Sequence, residues 1–160
     1  KFGYIEGLNV GIVGDINHSR VARSNIYGLV TMGANVALCG PPNLIPEDII
    51  DLGVKVNYNI DEVIEWADAV NVLRIQRERM GLGIIPSERE YRTLFGVTEE
   101  RLARRGNELV IMHPGPMNRG VEIDDRVADS DQAIILDQVL NGVASRMSIL
   151  YLLLGSKEEG

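Results

Sequence analysis

LNVGIVGD, residues 8–15, is apolar at nearly every position, rich in β-branched side chains, and closed by Gly14 and Asp15. A strand with one wet face alternates apolar and polar residues; a strand buried on both faces does not. The stretch is therefore predicted to be an inner strand of a parallel sheet, followed by a helix. Ala22, Ile26, Leu29 and Val30 share one helical face, and Gly33 is placed to end it. ANVALCG (34–40) then reads as a second buried strand. After Pro41, Pro42 and Pro46, with Pro46 suited to a first helical turn, EDIIDLG (47–53) is a short helix and VKVNY (54–58) a third strand.

The alternation continues. Asn59 with Glu62 resembles a capping box, Ile60, Val63, Ile64 and Ala67 mark a helical face, and DAVNVLRI (68–75) is the fourth strand. Residues 76–98 have little periodicity and read as a long loop containing a short helix that opens at Ser87, where Ser87 and Glu90 fit a cap. Thr98, followed by Glu99 and Glu100, starts another helix with acids where the helix dipole favours them. ELVIMHP (108–114) is the fifth strand. Val139, Val143, Met147, Leu150, Tyr151 and Leu154 line one face of a final helix that Gly155 would stop. The fold class is α/β: a Rossmann-like open parallel sheet of about five strands with helices on both faces, forming one domain over residues 1–160.

Composition narrows the function. A chain of 160 residues, 45% hydrophobic, suits one domain with one core. A formal charge of −7 argues against a general nucleic-acid surface, so any anion site must be local. The single cysteine, Cys39, excludes an internal disulfide framework and suits a reducing compartment. No apolar run approaches the roughly 20 residues of a membrane span, and the first residues lack a signal-peptide layout. A soluble, cytoplasmic protein without membrane or nucleic-acid partners is the expectation. The two histidines are far apart and without cysteine neighbours, so no metal is expected. GIVGD has the wrong spacing for a dinucleotide fingerprint and there is no Walker loop, so no cofactor is expected either.

In an open parallel sheet, ligands bind beyond the carboxyl ends of the strands. The first strand is followed there by His18, Ser19 and Arg20; the fourth by Arg74, Gln76, Arg77, Glu78 and Arg79; the fifth by His113, Asn118 and Arg119. Three arginine-bearing turns meeting on one edge would make an anion site, because guanidinium grips a carboxylate or phosphate with two hydrogen bonds. Each has a plainer alternative. Arg20 reads equally as an exposed first-turn residue, Arg77 to Arg79 as a solvated charge cluster, and Arg74 as one half of an ion pair with Glu78. The turn HPGPMNRG (113–120) concentrates proline and glycine: either a rigid strand exit or a stiff loop whose Pro114 and Gly115 carbonyls face a ligand amine.

Four stretches, GLNVGIVGDINHSRVARSN (7–25), LRIQRER (73–79), HPGPMNRGVEI (113–123) and QVLNGVASRM (138–147), occur in an order and spacing that resemble the C-terminal, aspartate-binding half of the aspartate carbamoyltransferase family. The resemblance covers nearly the whole chain. It implies transfer of a carbamoyl group from carbamoyl phosphate to L-aspartate, giving N-carbamoyl-L-aspartate and phosphate in pyrimidine biosynthesis. Arg20, Arg74 and Gln76 match the family's aspartate-binding residues, and Glu78 the glutamate that orients the arginine at position 74. Pro114, Gly115 and Pro116 match the turn that meets the carbamoyl group of carbamoyl phosphate, with His113 a positioning residue rather than the base. No residue of this half is assigned a catalytic role.

The family's other half, with its Ser-x-Arg-Thr-Arg and His-x-x-x-Gln elements, has no match here. The chain is therefore expected to be inactive alone and to need the carbamoyl-phosphate half. In the intact enzyme the resemblance implies a homotrimer, with or without dihydroorotase or regulatory chains. The last helix resembles one that returns to the other half, so self-association or a displaced C-terminus is expected of the isolated domain. Two alternatives remain. An ornithine carbamoyltransferase-like enzyme would be expected to carry Asp-x-x-x-Ser-Met-Gly and a His-Cys-Leu-Pro turn, and Arg74 would repel ornithine's cationic side chain. The other alternative is a noncatalytic domain that binds an amino acid or a partner chain.

Overall fold

The computed structural model describes residues 1–76, 87–105 and 108–155. Its strands are β1 (Asn9–Val13), β2 (Asn35–Cys39), β3 (Lys55–Val56), β4 (Ala69–Val72) and β5 (Val110–Met112). They form one sheet in the order β3-β2-β1-β4-β5, every pairing parallel. The fold class and all five predicted strands are present. β1 is central, with Val13 opposite Cys39 on one side and Val72 on the other.

Several boundaries differ from the sequence reading, for local reasons. β3 is two residues long because it lies at the sheet edge, and Asn57 turns the chain: its side chain accepts from the Asn59 amide and donates to Glu62. The segment Glu47–Leu52 is a 3-10 helix confined between Pro46, one residue before it, and a left-handed Gly53. β4 stops at Val72, although the Leu73 amide still bonds the Val13 carbonyl. Beyond it Leu73 and Ile75 are buried while Arg74 and Gln76 are exposed.

Helices cover both faces. On one, α1 (Arg20–Thr31) buries Ala22 and Ile26 against Ile12, Leu38 and Leu73. On the other, α2 (Ile60–Trp66), α3 (Glu88–Phe95) and α4 (Glu99–Arg105) pack Val63, Tyr91, Phe95 and Leu102 with Val13, Val70, Val72 and Ile111. The helix starts expected at Ser87 and Thr98 form, Ser87 accepting from the Glu90 amide (3.3 Å) and Thr98 from Arg101 (3.4 Å), and a cap not foreseen in the sequence forms at Ser19, which accepts from the Ala22 amide (3.1 Å). Asn59 accepts from the Asp61 amide, but Glu62 returns the bond to the Asn59 side chain instead of its backbone. A short helix unforeseen in the sequence, α5 (Asp125–Ala128), precedes the long α6 (Ile135–Leu154).

α6 buries only Ile135, leaving Val139, Val143, Met147, Leu150, Tyr151 and Leu154 at least half exposed. Among the described residues no helix is long and apolar enough to cross a membrane. An exposed apolar face of this extent favours association. Sedimentation of the isolated chain is expected to show concentration-dependent self-association that Leu140→Glu with Leu150→Glu relieves; a compact monomer at all concentrations would contradict this.

The carboxyl ends of β1, β2 and β4 approach closely. Gly14 has φ +131°, and a Cβ on Gly40 would lie 2.3 Å from the Gly14 carbonyl oxygen. Since that neighbour is backbone, Gly40→Ala is expected to cost about 1–3 kcal/mol, read from the urea midpoint. An unchanged midpoint would show that the two strand exits separate freely.

Candidate functional site

A cleft of about 350 Å³ opens beyond the carboxyl ends of the inner strands. Asp15, His18, Ser19 and Arg20 enter it from the exit of β1, Arg74 and Gln76 from the exit of β4, and Pro114 and Gly115 from the exit of β5. Seven residues singled out in the sequence, His18, Ser19, Arg20, Arg74, Gln76, Pro114 and Gly115, thus share one cavity. Pro116 follows Gly115 through a cis peptide and does not line the cleft. Glu78, with Arg77 and Arg79, lies outside the described residues.

The cleft arginines differ from those that brace the helix seams, though Arg23, Arg89 and Arg146 on the open surface likewise bond no other described side chain. Arg92 makes two bonds to Asp124; Arg101 holds Asp61 and the carbonyls of Arg92, Thr93 and Gly96; Arg105 bonds the carbonyls of Ile64 and Ala67. Arg20 and Arg74 bond no carboxylate or carbonyl among the described residues. Arg20 begins α1, where Ser19 supplies the cap. Arg74 faces outward because its neighbours Leu73 and Ile75 face the core. Two cations in a concave site that bond no acid among the described residues are available to an anion.

Arg119 does not join them, which corrects the expectation of three arginine-bearing turns. It grips Asp129 (2.7 and 2.8 Å) and Asp125 (3.2 Å), bonds that raise the guanidinium pKa further and hold Asp129 below the usual carboxylate range. These acids follow it within ten residues, and helix α5 turns them back toward it.

The turn at 113–116 is fixed from beneath. His113 is fully buried; its Nδ1 accepts from the Gly115 amide (2.9 Å), so Nε2 carries the proton and donates to Glu122 (3.3 Å). The His113 amide donates to Gln138 at the start of α6 (3.1 Å). Gly115 adopts φ +64°, which favours glycine. Among the described residues no donor reaches the Pro114 or Gly115 carbonyl oxygen, so these acceptors remain open to a ligand. On the opposite wall the buried Asp15 carboxylate holds His18 through Nδ1 (2.9 Å) and through the backbone amide (3.1 Å).

Sequence reasoning missed Asp15, Asn118 and Glu122 as supports. Glu122 carried a signal, being an acid between the apolar Val121 and Ile123, all three buried. A roomier groove between α2 and α4 is lined by Arg101 and Arg105, whose guanidinium groups are already engaged as above; it is a structural seam. Cys39 lies outside the cleft, and burial pushes its thiol up to about 12, too high for a nucleophile. Among the described residues no cluster of His, Cys, Asp and Glu fits a metal.

Arginines that bond no other described residue, together with open carbonyls at the carboxyl edge of a parallel sheet, make an α/β domain with a cleft whose chemistry suits a small polar, anionic ligand. Residues 6–153 match the aspartate/ornithine carbamoyltransferase Asp/Orn binding domain, and the chain belongs to that family. It is 59% identical to the aspartate carbamoyltransferase catalytic subunit of Carboxydothermus hydrogenoformans, covering 100% of this chain and 52% of that one. Against the same subunit of Gemmatimonas aurantiaca the identity is 57%, covering 99% and 50%. The chain thus spans about half the length of these relatives. The catalytic subunit of M. jannaschii aspartate transcarbamoylase superposes with a TM-score of 0.79 at 30% identity, over 97% of this chain and 52% of that one. The Pyrococcus furiosus ornithine carbamoyltransferase also gives 0.79, at 22% identity over 98% and 52%, a likeness of fold alone.

Because Arg20 and Arg74 support no other described group, Arg20→Ala and Arg74→Ala are expected to change unfolding free energy by less than about 0.5 kcal/mol. Arg101→Ala, which removes bonds to three carbonyls and to Asp61, is expected to cost more than about 2 kcal/mol. Urea denaturation checks both; a large loss from Arg74→Ala would make that arginine structural.

Proposed function

We propose that this chain is the aspartate-binding domain of an aspartate carbamoyltransferase. The observation that carries the reading is the single cleft in which Arg20 and Arg74, bonded to no acid among the described residues, share a lining with the turn of Pro114 and Gly115. L-Aspartate is a dicarboxylate, and Arg20 and Arg74, with Gln76 beside them, hold its carboxylates by charge-assisted bonds. The open carbonyls of the turn accept from the carbamoyl NH2 of carbamoyl phosphate, while Glu78 orients Arg74 and His113 holds the turn. A stiff turn leaves little ordering cost when substrate arrives. The phosphate of carbamoyl phosphate is bound by the other half of the family's catalytic chain.

The amine of aspartate attacks the carbamoyl carbon, the C–N bond forms, and the C–O bond to phosphate breaks, with departing phosphate taking the amine's proton. Alignment in this scheme converts a two-substrate encounter into a near-unimolecular step, with the developing oxyanion stabilised by the other half. The intact enzyme works as a cytoplasmic homotrimer, with or without dihydroorotase or regulatory chains, and supplies N-carbamoyl-L-aspartate to pyrimidine synthesis. Ornithine is disfavoured because its cationic side chain would approach Arg74 without a carboxylate to offer.

The test joins this chain to the N-terminal half of the Carboxydothermus hydrogenoformans subunit and assays carbamoyl-aspartate formation. Turnover is expected with aspartate and not ornithine, and Arg74→Ala is expected to lower kcat/KM by about 100-fold or more. A folded, ligand-binding chimera without turnover would favour a noncatalytic binding domain.

A further inference from the structure

The ladder between β4 and β5 ends at Asn71 opposite Met112, before either strand reaches the cleft. Past that point the exit carrying Arg74 and Gln76 and the turn carrying Pro114 and Gly115 are tied by side chains. The Asn118 amide group donates to the Ile75 carbonyl (2.7 Å) and to Glu122 (3.2 Å). The Asn118 backbone amide also donates to Glu122, which in turn receives His113 Nε2 (3.3 Å). His113 Nδ1 then takes the Gly115 amide (2.9 Å). One unbroken path of bonds therefore runs from Ile75, between Arg74 and Gln76, to Gly115. Ile75, Glu122 and His113 are fully buried, so water does not compete along most of it.

We propose that Asn118 and Glu122 are positioning residues of the site, setting the distance between the strand exit that holds one substrate and the turn that meets the other. The inference rests on the function proposed above only for the identity of those substrates. The residue types suit the task. Glu122 offers acceptors alone and gathers three N–H groups; Asn118 supplies the donors that a carbonyl and a carboxyl need at once. Each substrate keeps its own grips when the tie is cut, so aspartate still binds. What is lost is alignment, to which a displacement of about 1 Å can matter by about 100-fold in rate.

Asn118→Ala cuts the tie at its strand end without removing the buried acid. Arg119→Ala, next in the chain, breaks only surface bonds to Asp125 and Asp129 and serves as the control. In the isolated chain, amide NMR of Asn118→Ala is expected to shift both Gly115 and Gln76, with Arg119→Ala shifting neither. In the joined enzyme, Asn118→Ala is expected to lower kcat by about 10- to 100-fold with the aspartate KM within about threefold, and Asn118→Gln or Asn118→Ser to recover less than half. Gly115 and Gln76 left unshifted, or kcat in Asn118→Ala equal to that of Arg119→Ala, would overturn the inference. Absent turnover in the unsubstituted joined enzyme would instead count against the proposed function, with the NMR comparison still deciding the tie.

Discussion

The crowding of three strand exits around Gly14 is the constraint on which the cleft depends. The Gly14 amide bonds the Cys39 carbonyl, the Leu73 amide bonds that of Val13, and a Cβ at Gly14 would lie 2.9 Å from the Leu73 Cβ. Backbones so close leave no room for side chains, so β1, β2 and β4 end side by side. The segment from Asp15 to Arg20 then has to emerge next to Arg74. A parallel sheet makes this possible because all its carboxyl ends point the same way.

Charge is distributed to match. In a chain with net charge −7, five arginines among the described residues donate hydrogen bonds to carboxylates or carbonyls at turns and helix seams, Arg119 and Arg101 most completely. The two in the cleft are spared. Asp15, an acid on the cleft wall, bonds His18. The Ser19 hydroxyl caps α1 and the lone thiol is held up by burial. The site therefore offers grips and acceptors, consistent with a domain that aligns a substrate and leaves the bond-making to the substrates themselves.

Much of this was legible in the sequence because burial on both faces writes itself as nearly continuous apolar runs, as in residues 8–13 and 69–73, each broken by one asparagine. Helix starts were legible at Ser87 and Thr98 because short hydroxyl side chains have a local task there. Arg74 could be placed because it ends such a run. Less legible were features set by partners distant in the chain. Nothing near Arg119 announces that α5 would return two aspartates to it, and the bond from Asn118 to Ile75 spans 43 positions. The third strand shortened for a similar reason: an edge position and the Asn57 turn, not composition, decide where pairing stops. Residues 77–86, which include Glu78, stand outside these comparisons.

The central claim is that the cleft at the strand exits binds a dicarboxylate through Arg20 and Arg74. The most direct measurement is an NMR titration of the chain with L-aspartate, following the arginine side-chain Nε–H signals and the Gly115 amide. The account predicts saturable shifts of Arg20, Arg74 and Gly115 that ornithine does not produce and that weaken with salt. Shifts centred on Arg104 and the groove between α2 and α4, or equal responses to aspartate and ornithine, would contradict it.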